Sequence, residues 1–257
     1  MEKEFMLTSG DLQIPVMVTE SDYSLRRIVL GVHGLGGNAM DAIQSSLAEE
    51  MELFSSVVYR FDFPTHGASP LDSEYFTLAN CRRSLMAVAE HARQTHPELE
   101  DLCIFATGFG AYVTLSCLED LLDMPGKIKL VLQTPSVRMH ETLLAMKQIS
   151  KATLQAMGKT SFTRRRYLEV TYDFYKELED NLVLMTYPIP MLILHGEEDT
   201  YIRMEDIQNF ARINDEAKLV IIPGTTHRFM EEGAWDMVLD LTRDWFEFEQ
   251  VLLSDWS

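Results

Sequence analysis

Residues 104–111 read Ile-Phe-Ala-Thr-Gly-Phe-Gly-Ala, and this stretch decides the fold. The apolar run Leu102–Ala106 predicts a buried β-strand, and the small and apolar residues of Phe109–Leu122 predict a helix. Glycine at 108 and 110 indicates a sharp turn between the two, because glycine adopts backbone angles that other residues avoid. The sequence is therefore organised around one strand–turn–helix unit.

This turn has the spacing of a nucleophile elbow, small-x-Ser-x-Gly, except at its centre. Ala106 is the first small residue, Gly110 is the last glycine, and Gly108 stands where the serine belongs. Glycine has no side chain, so it can neither attack a carbonyl carbon nor carry an acyl group. The missing nucleophile is the main question that the sequence raises.

Further apolar runs alternate with helical patterns along the chain. They are Arg27–Val32, Val57–Phe61, Lys129–Gln133, Met191–Leu194 and Lys218–Ile222. Continuous apolar strands are typical of a parallel sheet that is covered on both faces. Before them, Phe5–Thr19 is interrupted by Gly10 and Asp11 and predicts a β-hairpin. The alternation predicts one α/β domain over residues 1–257, with a doubly wound, mostly parallel sheet.

The alternation stops between Arg138 and Pro188. A helical pattern at Glu141–Met157 is followed by the basic cluster Arg164–Arg166 and by an aromatic stretch. The segment is too short for a domain of its own, so we predict a short helical lid at residues 138–185, inserted after the sixth strand. The basic cluster is interpreted as a solvated helix face, and carboxylate binding by one of its arginines is the alternative.

Composition restricts the partners. The formal net charge is −18, which disfavours nucleic acids and anionic membranes. No apolar run reaches about 18 residues, and the first residues lack the apolar core of a signal peptide. The three cysteines, Cys81, Cys103 and Cys117, have no metal-ligand spacing. We therefore expect a soluble, cytoplasmic protein that needs no metal or other cofactor.

Several motifs recur in a fixed chain order. They are His33–Asn38, Asp62 with His66–Ser69, Ala106–Ala111, His195–Asp199 and Gly224–Phe229. In this order and spacing the chain resembles the α/β-hydrolase family over nearly its whole length. Within that family it is similar to bacterial serine carboxylesterases of the cinnamoyl or feruloyl type. The resemblance implies an α/β-hydrolase fold and action on a small acyl ester, aromatic esters included.

The resemblance also implies a set of site residues. The family's acid falls on Asp199, its general base on His227, and its nucleophile on Gly108, where the pattern fails. A general base of this kind needs a carboxylate that fixes its tautomer and stabilises its charged form. The oxyanion hole falls on the backbone N–H groups of Leu35 and Phe109, which do not depend on a side chain.

The lid supplies the candidate substrate-binding residues Met139, Met146, Tyr167 and Tyr172, because methionine adapts to ligand shape and aromatic faces suit planar acyl groups. The remaining motif histidines have simpler roles. His33 and His195 are expected to hydrogen-bond loop backbone, and His66 is interpreted in the same way with ligand contact as its alternative. Four residues are weighed as substitute nucleophiles and set aside: Thr107 beside the turn, Cys103 in the strand interior, and Ser69 and Ser136 at the ends of other strands.

Three functions stay open at this point. The chain is a non-catalytic pseudoenzyme that binds a small acyl or aromatic ligand, or an enzyme that uses only the Asp199–His227 dyad, as a lyase or oxygenase would. Alternatively, Gly108 is an engineered change in an active esterase. Loss of a triad nucleophile costs about a million-fold in kcat, so we expect weak or no serine-esterase activity. The oligomeric state is not determined by the sequence, and a homodimer is one option.

Overall fold

The predicted N-terminal hairpin is present as strands β1 (Glu2–Ser9) and β2 (Leu12–Glu20), which pair antiparallel. The computed structural model describes residues 2–163 and 167–249 of the chain. The basic cluster Arg164–Arg166 lies outside the described residues. Within the described ranges, none of the helices is both long enough and apolar enough to cross a bilayer.

Six further strands extend the hairpin into an eight-stranded sheet. They are β3 (Arg27–Val32), β4 (Ser56–Phe61), β5 (Asp101–Thr107), β6 (Lys127–Gln133), β9 (Met191–Gly196) and β10 (Ala217–Ile222). The strand order is β1-β2-β4-β3-β5-β6-β9-β10. All neighbours from β4 to β10 pair in parallel, and β2 joins β4 antiparallel. The mostly parallel sheet is the one that the apolar runs predict.

Helices cover both faces of this sheet. One face carries α1 (Ala42–Leu53) and α9 (Ala234–Phe248), which pack with the sheet around Val29, Phe105 and Leu192. The other face carries α2 (Leu78–Thr95), α3 (Phe109–Ser116), α4 (Leu118–Leu122) and α8 (Met204–Ile213). The carboxyl ends of the parallel strands therefore meet at one edge, where ligand sites of α/β sheets lie.

The helix predicted at Phe109–Leu122 is divided in two at Cys117. The hydroxyl of Ser116 donates to the Val113 carbonyl at 2.7 Å, and the thiol of Cys117 donates to the same oxygen at 3.3 Å. Side chains that bond locally compete with the backbone ladder of a helix. The competition ends α3 at Ser116, and α4 begins at Leu118.

The predicted lid is helical only in part. It contains α5 (Met139–Lys147), α6 (Lys151–Met157) and α7 (Tyr172–Asp180), with strands β7 (Lys159–Thr163) and β8 (Tyr167–Thr171) between α6 and α7. The expected helix at Glu141–Met157 is interrupted at Gln148, which has φ 52° and ends α5. Residues 138–185 are called the insertion from here on.

Candidate active site

The turn between β5 and α3 has the backbone shape that the sequence predicts. Gly108 has φ 49° and ψ −108°, in the positive-φ region that favours glycine. Its N–H donates to the Gln133 carbonyl at 3.0 Å, and its own carbonyl accepts the N–H groups of Tyr112 and Ser136, both at 3.2 Å. A Cβ atom built on Gly108 would meet no other atom within 4 Å. The turn is therefore fixed by backbone bonds, and the space above it is open.

The helix after the turn approaches the loop after β3 very closely. A Cβ atom at Gly110 would lie 2.5 Å from the His33 carbonyl oxygen and 2.6 Å from the Val32 carbonyl oxygen. Only glycine permits this approach, which brings the loop that carries Leu35 against the first turn of α3, where Phe109 begins the helix. Both residues are buried. Their predicted role as oxyanion donors stays a prediction.

Two histidines fix the loops around this turn. His33 Nε2 accepts the N–H of Phe63 at 3.1 Å, and its Nδ1 lies 2.8 Å from the Gly34 carbonyl oxygen. His66 Nε2 accepts the N–H of Gly36 at 3.1 Å. Burial lowers the pKa of His33 to about 4, so the ring is neutral at pH 7. His33 and His66 thus hydrogen-bond loop backbone, as expected.

Asp199 and His227 form the hydrogen bond that the sequence predicts. His227 Nδ1 lies 2.7 Å from Asp199 Oδ2. The other oxygen, Oδ1, accepts the N–H groups of Tyr201 at 2.8 Å and Ile202 at 3.0 Å. Burial of the Asp199 carboxyl disfavours its charge, yet the bonds from His227 and from the backbone outweigh burial and lower its pKa.

This arrangement selects one tautomer of His227. An ionised carboxylate only accepts hydrogen bonds, so Nδ1 must carry the hydrogen, and Nε2 of the neutral ring is the proton acceptor. The Asp199 side chain is fully buried and that of His227 is 20% exposed. A fixed tautomer with a solvent-reachable ring is what a general base requires. We predict that the free Nε2 of His227 faces Gly108.

Backbone contacts and one side-chain hydrogen bond hold the acid loop and the base loop together. A Cβ atom at Gly196 would lie 2.5 Å from the Thr225 carbonyl oxygen, so β9 must end in glycine here. The N–H of Glu198 donates to that carbonyl at 2.9 Å, and the Glu197 carboxylate accepts the N–H of Gly224 at 3.0 Å. We call these contacts the loop clasp. They place Asp199 beside His227, and the sequence does not predict them.

His195 is buried beside the dyad, and an interaction with the backbone of Ile202 favours its charged form. Its expected hydrogen bond to loop backbone stays a prediction. Burial lowers the pKa of His195, which keeps it neutral beside the dyad. A residue that the sequence analysis missed is Tyr201, whose ring meets the His227 ring edge-on with centroids 5.3 Å apart; its only signal was its position two residues after Asp199.

The residues weighed as substitute nucleophiles have other surroundings. Thr107 Oγ1 lies 3.5 Å from the Val32 carbonyl oxygen, and Ser69 Oγ accepts the N–H of Thr65 at 3.3 Å. Burial raises the pKa of the Cys103 thiol to about 12, so it is protonated and unreactive. Ser136 is buried and donates its backbone N–H to Gly108. These contacts support setting the four residues aside.

The insertion lies over the elbow and beside the acid loop. The ring of Phe174 on α7 packs against Phe76 and Phe109, with centroids 4.4 and 6.0 Å apart. The Glu177 carboxylate accepts the N–H of Leu78, the first residue of α2, at 2.7 Å. At the other end, Arg138 bonds to Asp206 on α8 at 3.0 Å. The insertion therefore packs at the carboxyl edge of the sheet.

The four candidate substrate-binding residues are dispersed over the insertion. Met139 is buried in the core, Met146 is half-buried, Tyr167 is 60% exposed, and Tyr172 stacks on Tyr175 with centroids 5.8 Å apart. A cavity of about 600 Å³ lies nearby, and none of the four residues lines it. Of the described residues of the insertion, Leu168 lines it. Their contact with a substrate stays a prediction.

The comparisons with known proteins agree with this fold. The Alpha/beta hydrolase family matches residues 29–241, so the chain belongs to that family. No curated protein sequence matches the chain. Among the described residues, no group of three or more His, Cys, Asp and Glu side chains is placed to hold a metal ion.

Two solved structures with the same fold show how distant in sequence such neighbours can be. Est1E from Butyrivibrio proteoclasticus, solved with ferulic acid bound, is 18% identical over 96% of this chain and 98% of its own, with a TM-score of 0.79. Mouse alpha/beta hydrolase domain-containing protein 10 is 14% identical over 96% of this chain and 100% of its own, with the same TM-score. At such identities the likeness establishes the fold alone.

Proposed function

We propose that this chain is a carboxylesterase-like α/β hydrolase in which Gly108 occupies the nucleophile position and the Asp199–His227 dyad is retained. It binds a small acyl ester, aromatic esters included, and hydrolyses it weakly or not at all. The observation that best supports this proposal is the positive-φ turn at Gly108, a residue without a side chain, with open space where a Cβ atom would stand.

The chemistry of the site follows from what remains. His227 has a fixed tautomer and can accept a proton at Nε2, while the N–H groups of Leu35 and Phe109 are available to a developing oxyanion. Without a hydroxyl at residue 108 no acyl-enzyme forms. An oxyanion hole and binding alone give about 10³–10⁴-fold over water, which a routine ester assay does not detect. Ester binding therefore persists while turnover is lost.

The test is Gly108→Ser. Because the Cβ position is unobstructed, the cost is that of a positive-φ serine, on the order of 1–3 kcal/mol. We expect turnover of a short-chain aryl ester to rise by several orders of magnitude, with labelling by a fluorophosphonate at residue 108.

Two controls separate the hydroxyl from the backbone change. Gly108→Ala has the same strain without an oxygen and should stay inactive and unlabelled. Gly108→Ser combined with His227→Ala should lose the gained activity. A folded Gly108→Ser variant that is neither labelled nor faster than the parent would contradict the proposal, and so would an unmodified chain that is labelled and hydrolyses esters rapidly.

A second candidate function uses the dyad without serine. It is favoured by the complete set of bonds around Asp199, which orient His227 whether or not a hydroxyl is present. In that case His227 removes a proton from water or from a carbon acid of the substrate. Unmodified protein would then turn over a substrate without covalent labelling, and His227→Ala would abolish turnover. A pure binding protein would keep its affinity for the ligand in that variant.

A further inference from the structure

Four ionic side chains join the start of the insertion to the start of α8, and we call this set the ion brace. Its members are Arg138, Glu141, Arg203 and Asp206. The Arg138 guanidinium donates to Asp206 Oδ1 at 3.0 Å and to Glu141 Oε1 at 3.2 Å. The Arg203 guanidinium donates to both Asp206 oxygens at 2.8 and 3.2 Å and to Glu141 Oε2 at 2.8 Å. Each carboxylate therefore binds both guanidinium groups, and the four charges cancel.

The inner part of the ion brace is shielded from solvent. The Asp206 side chain is only 12% exposed, and that of Arg138 is 37% exposed. Arg203 and Glu141 form the outer, solvated side, where ion pairs contribute little. Hydrogen bonds between ionised groups are stronger than neutral ones, and a guanidinium that donates from two nitrogens fixes orientation as well as distance. The bonds of Arg138 and Asp206 therefore carry most of the restraint.

One end of the ion brace leads to the turn at Gly108. The N–H of Thr134 extends the pairing of β6 with β9 by one bond, to the Leu194 carbonyl at 2.7 Å. The N–H of Ser136 then donates to the Gly108 carbonyl at 3.2 Å, and Arg138 follows two residues later. Beyond this point the chain after β6 enters the insertion, and the chain after β9 enters the acid loop, residues 197–203. The ion brace joins these two segments again.

The other end of the ion brace leads to the dyad, because Arg203 lies four residues after Asp199. The backbone N–H groups of Tyr201 and Ile202 lie between them and donate to Asp199 Oδ1 at 2.8 and 3.0 Å. Asp199 Oδ2 lies 2.7 Å from His227 Nδ1. A shift of Arg203 would therefore move the backbone that orients the Asp199 carboxylate, and with it the His227 ring.

We propose that the ion brace is a positioning element for the dyad. By joining the segment after β6 to the acid loop, it sets the separation between residue 108 and His227. Its effect on catalysis rests on the proposed function, whereas its restraint on the acid loop does not depend on turnover. Arg138 is thus a positioning residue, which acts on His227 through Asp206 and Asp199.

The first test compares the acid loop in the unmodified chain and in Arg138→Met, which removes the charge and keeps a long side chain. Amide exchange reports on the Ile202 N–H, and proton NMR reports on the hydrogen at His227 Nδ1. We expect both hydrogens to exchange with water about 10-fold faster in the variant, because the acid loop opens more often. Asp206→Asn removes the partner charge and should have the same effect, and the double variant should add little to either.

Arg82→Met is the matched control. Arg82 on α2 also bonds to the insertion, through Asn181 at 3.2 Å, and to Ser116 on α3 at 2.8 Å. Both partners lie outside the acid loop, so this variant should leave exchange at Ile202 and His227 unchanged. The slowly exchanging amides of β5 report on global unfolding. In Arg138→Met they should accelerate much less than the Ile202 N–H does.

Turnover gives a second readout. In the Gly108→Ser background, Arg138→Met should lower kcat about 10-fold and change KM less than about twofold, because a misplaced base affects the transition state more than ester binding. An inactive Gly108→Ser variant would contradict the proposed function alone, and amide exchange would still decide the role of the ion brace.

Four results would overturn the inference. They are an unchanged exchange rate of Ile202 in Arg138→Met, an equal acceleration in Arg82→Met, an acceleration of the β5 amides as large as that of Ile202, and an active Gly108→Ser variant whose kcat is unaffected by Arg138→Met. The third result would show that Arg138 supports only the stability of the fold.

Discussion

Asp199 supports the fold as well as the dyad, and His227 does so much less. The Asp199 carboxylate accepts two backbone N–H groups in addition to the His227 ring. We expect Asp199→Ala to lower the free energy of unfolding by about 1–3 kcal/mol, because the part-buried N–H of Ile202 loses a charged acceptor, whereas the exposed N–H of Tyr201 can bond to water. His227→Ala keeps those two bonds and should cost at least about 1 kcal/mol less.

The measurement is urea unfolding of both variants at pH 7, with Asp199→Asn as a control that keeps the size and one acceptor oxygen. Equal losses in Asp199→Ala and His227→Ala would show that the ion pair, and not the backbone bonds, provides the stability.

His33 should make the fold sensitive to mild acid. Its folded pKa is lowered by burial to about 4, whereas the unfolded ring titrates near 6.5. Between these values the unfolded chain binds a proton that the native chain does not, so the free energy of unfolding falls as the pH falls. The loss is about 3 kcal/mol, and burial of His195 acts in the same direction.

Unfolding curves from pH 7 to pH 4 measure this loss, and ring nitrogen NMR shows which histidine titrates. The His33 ring should remain neutral at pH 5 in the native protein. Titration of His33 near pH 6.5 without loss of stability would contradict the burial argument.

At the scale of elements, the insertion is anchored to the core through α7. Phe174 packs on Phe76 and Phe109, and Glu177 bonds to the first N–H of α2. We expect Phe174→Ala to cost about 3–4 kcal/mol and to speed amide exchange across α5 and α7. Asp173→Asn, an exposed neighbour on the same helix, is the control. Unchanged exchange in Phe174→Ala would show that the anchor lies elsewhere.

The loop clasp gives a second prediction at this scale. Gly196→Ala puts a methyl group 2.5 Å from the Thr225 carbonyl oxygen, which is backbone and cannot turn aside. We expect a cost of about 2–3 kcal/mol and a longer Asp199–His227 distance. At Gly31 the atom in the way is the side-chain oxygen of Gln44, which can rotate, so Gly31→Ala should cost less. A crystal structure and unfolding curves of both variants decide the point.

At the scale of the whole molecule, charge opposes compactness. With a net charge of −18 the acidic side chains repel one another. Salt screens this repulsion, with a screening length of about 10 Å at 0.1 M. We expect Tm to rise by about 2–5 °C between 20 mM and 500 mM NaCl, equivalent to about 1 kcal/mol. Replacing the exposed acids Asp72, Glu90 and Asp215 by amides should raise Tm at low salt and reduce the salt effect. A Tm independent of salt would contradict this.

How much of the structure can be predicted from the sequence depends on whether a feature is set by neighbouring residues or by contacts between distant parts of the chain. Apolar runs such as Leu102–Ala106 predict the sheet, because local hydrophobicity determines which strands are covered. The pairing of Asp199 with His227 is implied by the resemblance to the α/β-hydrolase family. Three other features depend on particular side-chain and backbone contacts, which the hydrophobic periodicity of the sequence does not reveal. They are the division of the helix at Cys117, the β7–β8 hairpin and the loop clasp.

The loop clasp has a consequence for the history of this chain. Gly196 and Asp199 stabilise the fold through contacts with backbone atoms. Selection for a stable fold would therefore preserve both residues even in relatives that have lost catalytic activity. Within the described residues His227 has a single hydrogen bond, to Asp199, so its replacement should lower the free energy of unfolding only slightly. Position 227 is therefore free to drift once catalysis stops. Consider proteins that descend from one ancestor with glycine at position 108. An invariant histidine at 227 among them would indicate that its proton transfer is still used. A retained acid at 199 would indicate only that the fold needs it.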